Sequence, residues 1–356
     1  MVVGGGVAGL ACATRLAAGG RAVTLFERSH RVGGRVSTRV AGALSFNHGA
    51  QFASARDGGF AVLMGELRDE GVALPWPAAG KGRWTGAPFM SAIPAAMARR
   101  ATAAGGSIVL RAEVTALMSV PGGWRVEVAG VGAAGVEAGG SAGTVPDARG
   151  VGEGPVAVVL AVPAPEAMRL LRAVAPEVVA SLAGVTMAPC WTLMLGLEAR
   201  LDAPDVLHPG AGPVSWASRD SARPGAPGTT GHCAGAAVGL DVAEGSGSGN
   251  GVERWVVQAG PAWSRAWLGR PADEVATALL AAFAELVGVL SATMYSTATL
   301  WREARTEQAL GEPCLWDAAR GLGLCGDWCL GARVEAAWIS GDSLAGRILS
   351  GDAATC

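Results

Sequence analysis

Residues 4–9 read Gly-Gly-Gly-Val-Ala-Gly, and an acid, Glu27, stands eighteen positions after the last of these glycines. No other stretch of the chain restricts the fold as strongly. The pattern predicts a strand ending at Val2 and Val3 and a tight turn at Gly4. Gly6 then leaves bare backbone where a phosphate group can approach, and Gly9 lets the following helix pack close to the sheet. Leu10, Ala13, Thr14, Leu16 and Ala17 give that helix an apolar face. Its first residues, Val7 and Ala8 among them, offer free N–H groups and the positive end of the helix dipole to a pyrophosphate. A second strand, Ala22 to Phe26, leads to Glu27. That carboxylate is placed to accept from a ribose 2′-hydroxyl and would repel a 2′-phosphate. Glycine makes up 54 of the 356 residues, so the glycines alone are weakly specific. The spacing to Glu27 is what makes them informative, and it points to a dinucleotide with an ADP half.

Four residues after Glu27 begins Arg-Val-Gly-Gly-Arg-Val-Ser-Thr, 31–38. This segment resembles the double-glycine motif of the flavin amine oxidase superfamily, which points to FAD rather than NAD. Further collinear blocks resemble the renalase-like NAD/FAD-dependent oxidoreductases within that superfamily. They are FNHGAQFASARDGGF (46–60), APFMSAIPAAMARRA (87–101), VVLAVPAPEAMRLL (158–171), APCWTLMLGLE (188–198), WVVQAGPAWSRAWL (255–268) and GLGLCGDWCLGARVEAAWISGDSLAGRIL (321–349).

The resemblance implies a set of FAD contacts. Gly33, Gly34 and Arg35 would lie along the pyrophosphate, Arg28 beside the adenine ribose, and Val114 at the adenine. Gly49, Ala50 and Gln51 would run along the flavin ring. Gly326 and Asp327 would meet the ribityl or phosphate portion. Glu335, Ala336 and Ala337 open the last helix, whose N–H groups would face the flavin N1–C2=O edge and stabilise charge developing there. Candidate substrate-side residues are His48, Gln51, Trp263, Trp301 and Arg302, with one of the last three expected to line the substrate face. The chain departs from the family pattern at Asn47, Ala336 and Trp267, where Asp, Gly and His respectively are usual. The resemblance also implies the reaction: hydride from a small reduced substrate, such as an isomeric dihydro-NAD(P), to FAD N5, and electrons onward to O2 to give hydrogen peroxide. No catalytic base stands out, which suits a donor driven by aromatisation. Flavin amine oxidases and desaturases are the rival readings, and a degenerate flavin-binding protein is the non-enzymatic one. The superfamily's amine oxidases frame the flavin with an aromatic cage and use a Lys near N5; a single Tyr295 and a single Lys81 speak against that chemistry.

A formal net charge of −2 and scattered Arg residues exclude an electrostatic nucleic-acid surface. Seven cysteines lack zinc-ligand spacing and only four histidines accompany them, so no metal site is expected and the thiols read as reduced and buried. Apolar runs at 156–165 and 274–293 are short or interrupted by acids, so no membrane-spanning segment is expected. The fingerprint begins at residue 4, which leaves a first strand shorter than usual. The natural chain is expected to start earlier, with an intracellular, soluble protein in cytoplasm or organelle.

With 356 residues, half of them hydrophobic, two domains are expected. The reading is an α/β protein: a discontinuous Rossmann-like FAD-binding domain (1–60, 88–162 and 311–356) and a second, α+β substrate domain (61–87 and 163–310). Gly/Ala-rich stretches at 129–155 and 221–251 read as flexible insertions. A helix is expected over Ala272–Leu286, between Pro271 and Gly288.

Overall fold

The computed structural model describes residues 1–129, 157–227 and 252–351. The described residues form two compact units: 1–34, 94–129, 157–186 and 306–351, and 35–93 with 187–227 and 252–305. The stretch expected to be an insertion at 129–155 lies almost wholly outside the described residues, as does 228–251.

The first unit is built on a six-stranded sheet. Its order is Leu315–Asp317, Leu322–Leu324, Val158–Leu160, Val2–Val3, Thr24–Glu27, Ser107–Leu110. All pairings are parallel except the outermost, between Leu315–Asp317 and Leu322–Leu324. Parallel strands covered on both faces need continuous apolar runs, and Val158, Val159 and Leu160 are all buried. From Val2–Val3 the chain moves outward on one side, to Thr24–Glu27 and Ser107–Leu110, then returns to the other side with Val158–Leu160. The strand order therefore reverses at the carboxyl ends of Val2–Val3 and Val158–Leu160, the position at which open α/β sheets bind ligands.

Two helices of this unit meet with almost no side chain between them. A Cβ built on Gly341, in the closing helix Val334–Ser350, would lie 2.0 Å from the Ala8 carbonyl oxygen of the first helix, Val7–Ala18. Only glycine permits that approach. A hairpin, Glu113–Val120 with Gly123–Ala129, completes the unit's strands among the described residues.

The second unit contains a five-stranded sheet in the order Val206–Leu207, Val214–Arg219, Glu253–Ala259, Thr186–Leu197, Thr293–Gln308. Period-2 alternation divides its side chains between two faces. Leu193, Leu195, Leu197, Trp255 and Val257 pack with Val275, Leu279 and Phe283 of the helix Ala272–Val287. Each such buried side chain contributes about 1.5–3 kcal/mol. The helix begins after Pro271 and stops at Gly288, whose φ of 84° ends it. The opposite face carries Met194 and Val256, packed with Phe46. A three-stranded sheet (Ala53–Ser54, Arg83–Gly86, Ala73–Pro75) and the helix Gly58–Asp69 complete the main elements. Asp57 caps that helix, its side chain accepting from Phe60 N at 3.0 Å.

The architecture is the expected α/β one, with a parallel-sheet Rossmann-like domain. The contact division differs from the boundaries read in the sequence. Residues 35–60 belong to the second unit because Asn47 and Gln51 bond to Asp220 and Ser218. Residues 163–186 belong to the first. The described start of the stretch read as 221–251 is packed, not flexible: Arg223 is 1% exposed. Its guanidinium donates to Thr85 Oγ1 (2.9 Å), Gly86 O (2.6 Å) and Pro88 O (2.9 Å). The Gly/Ala-rich composition concealed this single anchoring cation. Among the described residues no helix is long and apolar enough to cross a membrane.

Candidate functional site

In the first unit the glycine turn has the form its spacing predicts. Gly4 has a φ of 103°, and a Cβ there would meet the Ala161 carbonyl oxygen at 2.6 Å. A Cβ on Gly9 would fall 2.0 Å from Gly4 O and 3.1 Å from the Ala161 Cβ. These glycines let the helix start against the strand ends. Gly6 differs: its φ of −75° is open to any residue, and a Cβ there would meet nothing within 4 Å. The fold does not require glycine at position 6, so the bare backbone there leaves space for something other than protein. Gly6 precedes Val7–Ala18 with no side-chain cap, so the first N–H groups of that helix are available to an anion.

Glu27 ends its strand 6% exposed. Oε2 accepts from Gly5 N at 2.7 Å and Oε1 from Ser29 N at 2.8 Å. The carboxylate thus ties the glycine turn to the end of the second strand. Each oxygen keeps a lone pair for a ribose hydroxyl. The double-glycine segment returns to the same turn. Gly33 N donates to Gly5 O at 2.8 Å, and Gly33 and Gly34 take φ of 124° and 53°. A Cβ on Gly34 would stand 3.5 Å from the Gly6 Cα. Arg28 is exposed and lies 3.4 Å from Glu166, a pair worth at most about 1 kcal/mol. Val114 is buried and faces Val128 in its hairpin.

Gly326 and Asp327 follow the strand Leu322–Leu324. Gly326 N donates to Ser340 Oγ at 2.9 Å, and a Cβ on Gly326 would meet the Trp328 indole nitrogen at 2.4 Å. Asp327 is buried and accepts from Thr306 Oγ1 at 3.1 Å. The closing helix has no side-chain cap, and Glu335 and Ala336 in its first turn are buried. Glycine turn, Glu27, double glycine and Gly326–Asp327 are therefore all in one unit.

The second unit holds the other candidates. His48–Gln51 form a turn fixed from several directions. Gln51 Nε2 donates to the carbonyls of Asn47 and Gly49, and its Oε1 accepts from Ser218 Oγ at 2.8 Å. Gln258 Nε2 donates to Gly49 O at 2.8 Å, and Ala50 N donates to Arg35 O at 2.9 Å. The Gln51 amide is thus engaged in holding this turn. A Cβ on Gly49 would strike Arg35 O at 2.1 Å. Arg35 itself reaches the carbonyls of Glu303 (3.3 Å) and Ala304 (3.4 Å).

Asn47 explains its own departure from the family pattern. Its Oδ1 accepts from Thr38 Oγ1 (2.7 Å) and Met90 N (2.9 Å), and its Nδ2 donates to Asp220 Oδ1 (2.7 Å). Asp220, 2% exposed, also meets Arg223 Nε at 3.2 Å. A buried carboxylate opposite calls for an amide here.

The structure separates the three substrate-side candidates. Along Thr293–Gln308, Tyr295 stacks on Phe46 (5.2 Å), Thr299 accepts from Arg39, and Trp301 Nε1 donates to His48 O at 2.9 Å. Trp301 and His48 rings lie 5.0 Å apart. Ala298 and Leu300 face the opposite way, toward the helix-covered core. Arg302 shares their parity, and Trp263, stacked on Trp267 at 4.7 Å, also packs against that core. Trp301 alone of the three stands with the His48 turn.

Among the described residues the thiols are not poised as nucleophiles. Burial pushes Cys12 and Cys329 up to about 12 and Cys190 up to about 11, and it raises Cys325 and Cys314 as well. Free cysteine in an unfolded chain titrates near 9. The folded pKa is raised, so the thiols' contribution to stability is complete below about pH 9 and is lost as pH climbs toward 12. We expect the melting temperature to fall progressively above about pH 9. We also expect iodoacetamide to spare Cys12, Cys325 and Cys329 until the protein unfolds. Rapid labelling of any of these three in the native protein would contradict this.

A family model described as an NAD(P)-binding Rossmann-like domain matches residues 2–63. Solved structures match over the chain's length. One is a protein from Exiguobacterium sp. 255-15 with a provisional assignment as protoporphyrinogen oxidase, at a TM-score of 0.67 and 11% identity, covering 99% of this chain and 98% of that one. An oxidoreductase from Methanosarcina mazei has a TM-score of 0.62 at 13% identity, covering 96% and 98%. Cyclohexylamine oxidase from Brevibacterium oxydans IH-35A has a TM-score of 0.58 at 13% identity, covering 98% and 97%. At these identities the likeness is one of fold, and the chain has the Rossmann-like α/β fold of these oxidoreductases.

Proposed function

We propose that this chain is an FAD-dependent oxidoreductase that accepts hydride from a small reduced substrate. An isomeric dihydro-NAD(P) is the substrate class and O2 the final acceptor, reduced to hydrogen peroxide. The observation that carries the reading is Gly6: its Cα faces open space although its backbone would accept any side chain. The residues around it fit an ADP-bearing dinucleotide. Glu27 offers lone pairs to the ribose, Gly33 and Gly34 stand against the turn, and two uncapped helix starts supply N–H groups.

Bound FAD would supply a hydride acceptor. The protein's part is to bind and to orient. The uncapped start of Val334–Ser350 is proposed to hold developing negative charge on the flavin ring, with buried Ala336 setting the approach. The turn at His48, Gly49 and Ala50 is the second unit's proposed flavin-facing segment. Trp301, against His48, is its proposed substrate-side residue. Val114, Arg28, Arg35 and Asp327 are proposed as further cofactor contacts. Lys81 is exposed in the loop before Arg83, and Tyr295 is stacked on Phe46. This supports a dihydropyridine donor over an amine.

The test is anaerobic mixing of FAD-loaded protein with dihydronicotinamide isomers and, separately, with simple amines. We expect the dinucleotides alone to bleach the flavin. Bleaching by amines alone would replace this reading with an amine oxidase.

A further inference from the structure

Beside the His48–Gln51 turn, the second unit gathers a cation, two aromatic walls and an unmatched donor. The guanidinium carbon of Arg83 lies 3.9 Å from the Phe52 ring centroid and 5.4 Å from that of Trp216. The two rings are 5.2 Å apart at 49°. Trp76 and Ala79 pack beneath them. Gly80, with φ of 127°, makes room: a Cβ there would come within 3.2 Å of Arg83 Nε.

What this cluster lacks is an acceptor. Among the described residues the Arg83 guanidinium makes neither a hydrogen bond nor an ion pair. Stacking occupies only the face of the guanidinium and leaves its in-plane N–H groups free. Trp216, 7% exposed, has a buried indole N–H with no partner. A buried donor left unsatisfied costs about 1–3 kcal/mol, so such a group calls for an explanation. Burial and the charge of Arg56 both lower the Arg83 pKa, as expected where a cation is held without its counter-ion.

The position ties the cluster to the proposed site. Phe52 follows Gln51 directly. Trp216 is two residues from Ser218, which bonds Gln51, and opposite Gln258, which bonds Gly49.

We propose that Arg83, Trp216 and Phe52 form an oxyanion subsite that receives a carboxylate or phosphate carried on a flat organic body. The guanidinium fork and the indole N–H bind the oxygens, and the rings cover the body. That the anion belongs to the oxidised substrate rests on the oxidoreductase reading; the binding itself does not need flavin. Such a subsite selects acidic substrates and repels ammonium ions.

The experiment is calorimetric titration of the full chain, with and without added FAD, using benzoate, phenyl phosphate, benzamide and benzylamine. We expect at least one of the two anions to bind saturably, with the tighter one identifying the headgroup. The neutral amide and the amine should bind at least about tenfold more weakly. Arg83→Gln should weaken the anion by about tenfold or more, and Arg83→Lys should weaken it less. Trp216→Phe keeps the ring, removes the donor, and should weaken it severalfold. If Arg83→Gln fails to fold, the Lys and Phe variants decide. No saturable anion binding, equal binding of benzamide, or unchanged affinity in the folded variants would overturn the subsite. Anion binding without any flavin binding would sink the oxidoreductase reading and leave the subsite standing.

Discussion

Gly6→Val is expected to leave the protein folded and empty of flavin, whereas Gly9→Ala is expected to unfold the nucleotide-binding unit. At position 6 the backbone dihedrals are ordinary and no atom lies within 4 Å of a built Cβ. The added Cβ therefore meets no protein atom, and the melting temperature of the cofactor-free protein should stay within a few degrees of wild type. It would, however, fill the open face proposed to meet the pyrophosphate. At position 9 a single methyl meets a carbonyl oxygen at 2.0 Å and a second Cβ at 3.1 Å. Neither neighbour is a flexible side-chain end, so strand and helix must part, at a loss of roughly 3 kcal/mol or more. Thermal melts and flavin content of the two variants, measured together, check the pair. Full flavin retention in Gly6→Val would remove the main physical support for a dinucleotide there.

The second large effect is expected at Asn47→Asp. The substitution is nearly isosteric, yet it turns a donor facing Asp220 Oδ1 at 2.7 Å into a second carboxylate oxygen. Asp220 is buried and already paired with Arg223, with the Arg254 charge also close enough to act on it, so a second carboxylate at 2.7 Å adds a like charge against it. We expect a loss of roughly 3–5 kcal/mol near neutral pH. The repulsion raises the introduced carboxyl's pKa above its unfolded value of about 3.9. The deficit should be small below that pH and should grow as pH rises through the folded pKa. Adding Asp220→Asn restores a donor–acceptor pair and should recover at least half the loss. A double-mutant cycle over pH measures this coupling, and a flat, pH-independent deficit would refute the assignment.

These two cases also mark where sequence reading succeeds and where it stops. The glycine turn, Glu27, and the helix bounded by Pro271 and Gly288 are local devices. Each is written within one turn of chain, so spacing and residue type reveal it. The Asn47–Asp220 bond joins residues 173 positions apart, and no local pattern records it. From the sequence Asn47 is only a departure from a motif, and its reason lies in the short helical turn Asp220–Ala222 that follows the strand Val214–Arg219. Trp301 and Arg302 are equally eligible in the sequence because the long strand Thr293–Gln308 that carries them is polar and unevenly buried. Only its pairing and parity place Trp301 with His48 and Arg302 on the other face. Once that strand is recognised, the alternation of Tyr295, Thr297, Thr299 and Trp301 supplies the missing signal. Arg83 and Trp216 gave none, since an arginine with no partner looks like any surface arginine until its neighbours are known.

The turn at Gly4–Gly9, closed by Glu27 and the double glycine, is the proposed seat of FAD. The decisive measurement is titration of the flavin-free protein with FAD and, in parallel, with NAD, following flavin absorbance and heat. We expect stoichiometric, saturable FAD binding that is lost in Gly6→Val, with NAD binding far more weakly. Tight NAD binding with no affinity for FAD would contradict it.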